Sequence, residues 1–150
     1  MNMKDVIISI VGEQTIDGAQ PDAIELVTDG KYFHRDGKSR VVYDESMLTG
    51  LEGTRTTVTV DAAGVVMSRT GNLTSRMVFQ EGKKHFFLYE TPVGPTTMGV
   101  DTHSIRTELD EHGGEMEIHY AIDLDHAVIG HNRFKMNIRE QKKDEGRCQI

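Results

Sequence analysis

Arg69 is the residue of this 150-residue chain that is best suited by type and position to bind a ligand. It follows Met67 by two residues in a stretch where apolar and polar residues alternate, so the two side chains share one face of a predicted strand. A guanidinium is always charged and presents a planar fork of donors, which suits carboxylates and phosphates. Arg69 on an inner face therefore predicts an anion site. The alternative is a structural ion pair with an acid such as Glu45 or Glu90.

Residues of neighbouring strands extend this candidate site. If Val60 pairs with Val65, then Thr56 lies opposite Arg69, and the next hairpin brings Ser75 to the same face. Tyrosines combine an apolar ring with one hydrogen-bonding end, so tyrosines from other strands could add polar groups to the interior. The predicted ligand-binding residues are Arg69, Ser75, Met67, Tyr43, Tyr89 and Tyr120.

Signals for catalysis and for metal binding are weak. There is no Gly-x-Ser-x-Gly elbow, and we assign no catalytic residue. The seven histidines form no His-x-His or His-x-x-x-His pair. His119 and His131 come near each other only on the outer face of a predicted hairpin, and the face taken by His85 depends on an undetermined turn type. We therefore expect no metal and no cofactor, and we favour a binding protein over an enzyme.

The elements that must position these residues are strands. About ten short stretches alternate apolar and polar residues and are separated by glycine-bearing turns, a pattern typical of half-buried strands joined by hairpins. Asp36-Gly37 and Glu81-Gly82 are two such turns, and each is predicted to join two paired strands. The apolar alternation slips by one residue near Thr102, which predicts a bulge there, and Gly30 predicts a second bulge or a bend. Consecutive hairpins leave two unpaired sheet edges unless the first and last strands meet. We therefore predict an all-β fold, a single antiparallel up-and-down β-barrel of about 8–10 strands.

The composition restricts the protein's partners and compartment. The net charge of −7 and a pI near 5.4, with scattered basic residues, argue against nucleic-acid binding. No apolar run approaches the roughly 20 residues of a membrane-spanning helix, and the N-terminus lacks a signal-peptide pattern. A single cysteine, Cys148, fits a reducing compartment, so we predict a cytoplasmic protein.

The chain is predicted to form one domain. Its length is typical of a single domain, and the alternating pattern continues to about Arg139. Residues 141–150 have no apolar periodicity, so we predict a barrel domain over residues 1–140 followed by a frayed polar tail.

A longer motif then points to a family. The string from Tyr43 to Thr54 resembles the YwiB-like family of bacterial proteins of unknown function. Further matching strings are Arg69–Gly71, Ser75–Gly82 and Leu88–Gly94, so the resemblance covers nearly the whole chain. It implies a calycin-like barrel related in architecture to lipocalins and fatty-acid-binding proteins, and it implies no reaction, ligand or catalytic residue.

Two kinds of function remain open at this point. The first is non-enzymatic binding of a small, partly apolar, anionic ligand inside the barrel, for which Arg69 is the main reason. The second is a protein interaction module or homodimer whose barrel core is filled by its own side chains. An uncharacterised enzyme is a third alternative that has only buried polar residues in its favour.

Overall fold

The computed structural model is all-β. It describes residues 3–15, 20–47, 51–71, 74–91, 94–124 and 127–141, and for residues 89–91 it describes the backbone only. The strands are β1 (Lys4–Thr15), β2 (Asp22–Arg35), β3 (Lys38–Asp44), β4 (Thr54–Asp61), β5 (Gly64–Gly71), β6 (Ser75–Phe79), β7 (Lys84–Thr91), β8 (Gly94–Asp110), β9 (Gly113–Leu124) and β10 (Ala127–Glu140). Within those ranges, no helix is long and apolar enough to cross a membrane.

All ten strands belong to one antiparallel sheet that wraps into a nearly closed barrel. The strand order is β6-β5-β4-β3-β2-β1-β10-β9-β8-β7. The first and last strands meet as predicted, in an uninterrupted ladder that runs from Val6 opposite Glu140 to Thr15 opposite His131. The predicted barrel is therefore confirmed, and β1 and β10 lie in the middle of the sheet rather than at its ends.

One predicted hairpin is wrong. The turn around Glu81-Gly82 was expected to pair β6 with β7, but these strands form the two ends of the sheet and share no ladder in the described part of the chain. The turn pairs with β8 instead, because Gly82 N donates to Thr102 O at 2.9 Å and Thr102 N donates to Lys83 O at 3.1 Å. Between β6 and β7 the barrel closes by packing, with no ladder of backbone hydrogen bonds among the residues that the structure describes.

Registers and irregularities agree well with the sequence pattern. Val60 lies opposite Val65 and Thr56 opposite Arg69, as predicted. The register of β8 with β9 shifts between Thr102 and Ser104, which confirms the predicted bulge. At Gly30 the ladder continues without a shift, but a Cβ atom there would lie 2.5 Å from the carbonyl oxygen of Val42. Gly30 therefore marks a close approach of β2 to β3 and not a bulge.

One half of the barrel interior is solidly packed. Buried aliphatic side chains fill it, and the cavity left between them has a volume of only about 10 Å³. This packed half is lined by Tyr32, Ser39, Val41, Val58, Val60, Leu109, Met116, Met136 and Ile138. The opposite half, where β1, β3, β5, β7 and β9 finish, is called the open end below.

The end of the described chain lies against β1. Gln141 N donates to Asp5 O at 3.0 Å, which continues the pairing of β10 with β1 by one residue. The rest of the predicted frayed tail, residues 142–150, lies outside the described residues.

Candidate functional site at the open end of the barrel

A row of polar residues crosses four strands on the inner face near the open end. Tyr43, Thr56, Arg69 and Ser75 are successive cross-strand partners in β3, β4, β5 and β6. This first polar row follows from the registers of three hairpins, each set by its turn. Met67 lies one step further into the barrel, is 4% exposed and pairs with Met77. The structure thus brings together four of the predicted site residues.

Arg69 forms an ion pair with Glu45. Arg69 Nε lies 3.7 Å from Glu45 Oε2, and the two side chains are 20% and 3% exposed. Glu45 Oε2 also accepts a short hydrogen bond from Thr56 Oγ1. The Nε distance is too long for a hydrogen bond, and the buried Nε–H has no hydrogen-bond partner. Arg69 therefore makes the ion pair that the sequence left as the alternative, and it keeps an unused donor.

The electrostatics of this row keep its phenol neutral. Burial raises the pKa of Tyr43, and the adjacent Glu45 carboxylate raises it further, while Arg69 opposes the shift. The neutral phenol can donate a hydrogen bond, and the charges of Arg69 and Glu45 offset each other. The first polar row therefore keeps the Arg69 Nε–H as an unused donor and carries no large net charge.

A second polar row lies on β8, β9, β10 and β1. Its members, Thr102, Tyr120, Asn132 and Gln14, are cross-strand partners. Thr102 Oγ1 and Asn132 Nδ2 are buried and have no hydrogen-bond partner. Buried polar atoms are normally satisfied, so two unsatisfied atoms in one row need an explanation.

Tyr120 connects the two polar rows. Burial raises the pKa of its phenol, and the charge of Arg69 in the first row opposes that shift. The Tyr120 ring also lies edge-on to Phe79 of β6, with centroids 4.9 Å apart. Asn132 is therefore the cross-strand partner of Tyr120, and the charge of Arg69 acts on the same phenol from the first polar row.

A cleft of about 460 Å³ opens beside the second polar row. Its walls combine the polar Asn132 and Tyr120 with the apolar Ile24 and Phe134. Gly12 also lines it, and a Cβ atom built on Gly12 would meet nothing within 4 Å. The open end therefore contains accessible space of mixed character, in contrast to the packed half.

Sequence reasoning missed Asn132 and the cleft. Asn132 shares a strand face with Phe134, Met136 and Ile138, and a polar residue on an apolar face was the signal that could have found it. Gln14, Thr102 and Gly12 carried no comparable signal. Of the other predicted residues, Tyr89 of β7 pairs with Thr96 of β8, and the side chain of Tyr89 lies outside the described ones. His85 pairs with the buried Val100, and its Nε2 lies 2.9 Å from Gln80 Oε1.

The outer-face histidines are held by other partners. His119 Nε2 contacts Glu117 Oε2 at 2.8 Å, and the ring of His131 stacks on that of His103 with centroids 6.2 Å apart. Asp123, on the same strand as His119, forms an ion pair with Lys84. Within the described ranges, no three His, Cys, Asp or Glu residues are grouped as a metal ion requires.

The fold and the interior define a class, a nearly closed antiparallel barrel that is packed in one half and polar and accessible in the other. Within that class, the chain belongs to the family described as a domain of unknown function (DUF1934), which matches residues 8–136. Its fold is similar to the crystal structure of the YwiB protein from Bacillus subtilis, with a TM-score of 0.81 at 21% identity over 93% of this chain and 94% of that one. The fold implied by the YwiB-like resemblance is therefore confirmed. No curated protein matches the chain.

Proposed function

We propose that the protein binds a small, partly apolar monoanion at the open end of its barrel and catalyses no reaction. The observation that carries this proposal is the pair of unsatisfied buried donors, Arg69 Nε and Asn132 Nδ2, near Tyr120. Leaving a buried donor unsatisfied costs about 1–3 kcal/mol. A ligand with two acceptor oxygens would recover that cost, and a carboxylate is the simplest such group.

The charges of Arg69 and Glu45 favour a ligand that carries a single negative charge. Glu45 already offsets the charge of Arg69 at 3.7 Å, so a dianion such as a phosphate ester would be repelled by Glu45. A carboxylate carries one charge and has the planar shape that matches a guanidinium. Apolar walls at Ile24 and Phe134 would contact the rest of the molecule.

Octanoate is a suitable probe, with binding measured by isothermal titration calorimetry and octylamine as the comparison ligand of opposite charge. We expect Asn132→Leu to weaken octanoate binding at least tenfold. Removing Arg69 alone would take the cation of this ion pair away from the buried Glu45 at a cost of about 3 kcal/mol, so the informative variant is the double substitution Arg69→Met/Glu45→Gln. It should retain the fold and also lose at least tenfold in affinity.

Arg76→Met is the matched control, because Arg76 lies on the same strand as Ser75 and is exposed. It should bind octanoate as the wild type does. Equal binding of octanoate and octylamine, or unchanged affinity in both variants of the polar rows, would contradict the proposal.

A second candidate function is self-association through β7. This strand has a ladder only with β8 among the described strands, and its outer residues Phe86 and Leu88 are 57% and 61% exposed. The edge of β7 faces β6, so a second copy would pack on the outer face of β7, where Phe86 and Leu88 of the two copies would bury each other around a two-fold axis.

Light scattering tests this candidate. A dimer that is lost in Leu88→Lys and kept in the control Thr70→Lys, a change at an exposed position of β5, would support it. A wild-type monomer at high protein concentration would contradict it.

We also propose a cytoplasmic location in a bacterial cell. The single Cys148 cannot form an internal disulfide, which suits a reducing compartment. Fractionation of cells that express the full chain tests this, and recovery from the membrane or extracellular fraction would contradict it.

A further inference from the structure

The packed half of the barrel limits how far a ligand can enter. Directly below Arg69, Met67 is 4% exposed, and Phe79 beside Tyr120 is 1% exposed. The cavity beyond them is about 10 Å³, which is less than a single methylene chain needs. A ligand whose headgroup lies beside Tyr120 therefore has no path along the barrel axis.

The cleft beside Gly12 is the space that remains for an apolar tail. Gly12 contributes no side chain, and the residues opposite it in the two adjacent ladders are Ile24 and Phe134. Ile24 is 53% exposed, although it is a large apolar residue on a cleft wall. A short apolar chain across Gly12 would cover Ile24 and contact Phe134.

We infer that the ligand is a short- to medium-chain carboxylate, with its headgroup beside Tyr120 and its tail across Gly12. This inference rests on the proposed function and adds the length limit. Each further methylene placed in the cleft removes apolar surface from water, whereas methylenes beyond the cleft extend into solvent and add nothing.

A series of straight-chain carboxylates from butanoate to hexadecanoate tests the length limit by calorimetry below the critical micelle concentration. We expect affinity to rise about fourfold per methylene up to octanoate and to level off by dodecanoate. A rise that continues to hexadecanoate would overturn the length limit while leaving the proposed function intact. Absence of binding at every length would overturn the proposed function itself.

Gly12→Leu tests the position of the tail. A Cβ atom at Gly12 meets no neighbour and the residue has no positive φ, so the variant should fold and fill the cleft. We expect it to weaken octanoate binding more than tenfold and butanoate binding much less. The matched control is Val11→Leu, an adjacent residue on the opposite face of β1.

Ile24→Ser provides an independent measurement, because the side chain is half exposed and its replacement leaves the core intact. It should weaken octanoate binding about tenfold and leave butanoate binding unchanged. Wild-type octanoate affinity in both Gly12→Leu and Ile24→Ser would overturn the assignment of the tail to this cleft.

Discussion

At the scale of single residues, the hydrogen bonds that join Tyr32, Ser39 and His34 allow only one assignment of donors and acceptors. Tyr32 Oη lies 2.7 Å from the carbonyl oxygen of Asp110, which can only accept, so the tyrosine proton is used there. Tyr32 must then accept from Ser39 Oγ at 3.2 Å. Ser39 in turn accepts from His34 Nδ1, which lies 2.7 Å from its Oγ. His34 is therefore a donor to Ser39 and cannot act as its base.

This order predicts that neutral His34 carries its proton on Nδ1. Long-range nitrogen–proton NMR correlation distinguishes the two tautomers, and a proton on Nε2 would contradict the derived order. Ser39→Ala should lower the free energy of unfolding by about 1–2 kcal/mol, because the partly buried imidazole loses its acceptor. Ser68→Ala, on the outer face of β5, is the control and should change it much less.

At the scale of elements, the strands and the first polar row could be predicted because their causes are local. Alternation fixes which face a residue takes, and the β4–β5 turn fixes the register that places Arg69 opposite Thr56. The predicted β6–β7 hairpin is wrong because the turn residues that suggested it are local signals, whereas the backbone with which the turn pairs belongs to β8. The bulge in β8 offers the backbone of Thr102 to the turn, and no pattern within residues 75–91 reports that.

The second polar row was missed for the same physical reason. Asn132 and Gln14 become neighbours only when β1 pairs with β10, and these strands are at opposite ends of the sequence. The position of an unsatisfied amide depends on that closure and on what fills the space around it. Arg69 could therefore be proposed from its own hairpins, and Asn132 could be recognised only in the structure.

The closure of β1 on β10 leads to a prediction about pH. Glu140 of β10 accepts from Lys4 of β1 at 2.7 Å and contacts His112 Nδ1 of the β8–β9 turn at 3.0 Å. The hydrogen bond with Glu140 raises the pKa of His112 above its usual 6.5. Stability from a raised histidine pKa is fully present below 6.5 and is lost as pH rises through the higher folded-state value.

The Glu140 carboxylate sets the lower limit of the pH range in which this cluster stabilises the protein. The hydrogen bond from Lys4 lowers the pKa of Glu140 from its usual 4.5, so its contribution is present above 4.5 and is lost as pH falls through the lowered value. The cluster of Lys4, His112 and Glu140 should thus stabilise the pairing of β1 with β10 most between the lowered pKa of Glu140 and the raised pKa of His112. Urea midpoints should fall between about pH 6 and pH 8 in the wild type and fall less in His112→Gln. The control Thr107→Ala, a change at an exposed position that removes no titratable group, should retain the wild-type slope.

At the scale of the whole molecule, the side chains that stabilise the barrel and the cleft that a ligand could enter lie in different halves of it. Burial of aliphatic side chains is concentrated in the packed half, where the cavity is about 10 Å³, so changes at the open end need not disturb the core. The ends of the sheet, β6 and β7, are adjacent in sequence but share no ladder in the described ranges, and the first and last strands, β1 and β10, meet in the middle of the sheet. The order in which the strands pair therefore differs from the chain order by a single circular shift.

That shift predicts a circular permutant with simpler folding. A chain that begins at Glu81 and ends at Gln80, with Ile150 joined to Met1, would place every pair of laddered strands next to each other in sequence. It loses one turn hydrogen bond, from Lys83 N to Gln80 O, and no ladder. The loop that the wild type must close between β1 and β10 becomes a short connection, so folding should accelerate about tenfold with the fold retained.

Stopped-flow refolding of the wild type and of two permutants measures this effect. The control permutant begins at Ala63 and ends at Ala62, which separates the strands of the β4–β5 ladder to opposite ends of the chain. It makes the β1–β10 pairing local and the β4–β5 pairing remote, so its refolding rate should stay close to that of the wild type. If the Glu81 permutant refolds no faster than the wild type, pairing of β1 with β10 is not the slow step of folding. If it does not fold, the β6–β7 turn holds the barrel together more strongly than its hydrogen bonds to β8 imply.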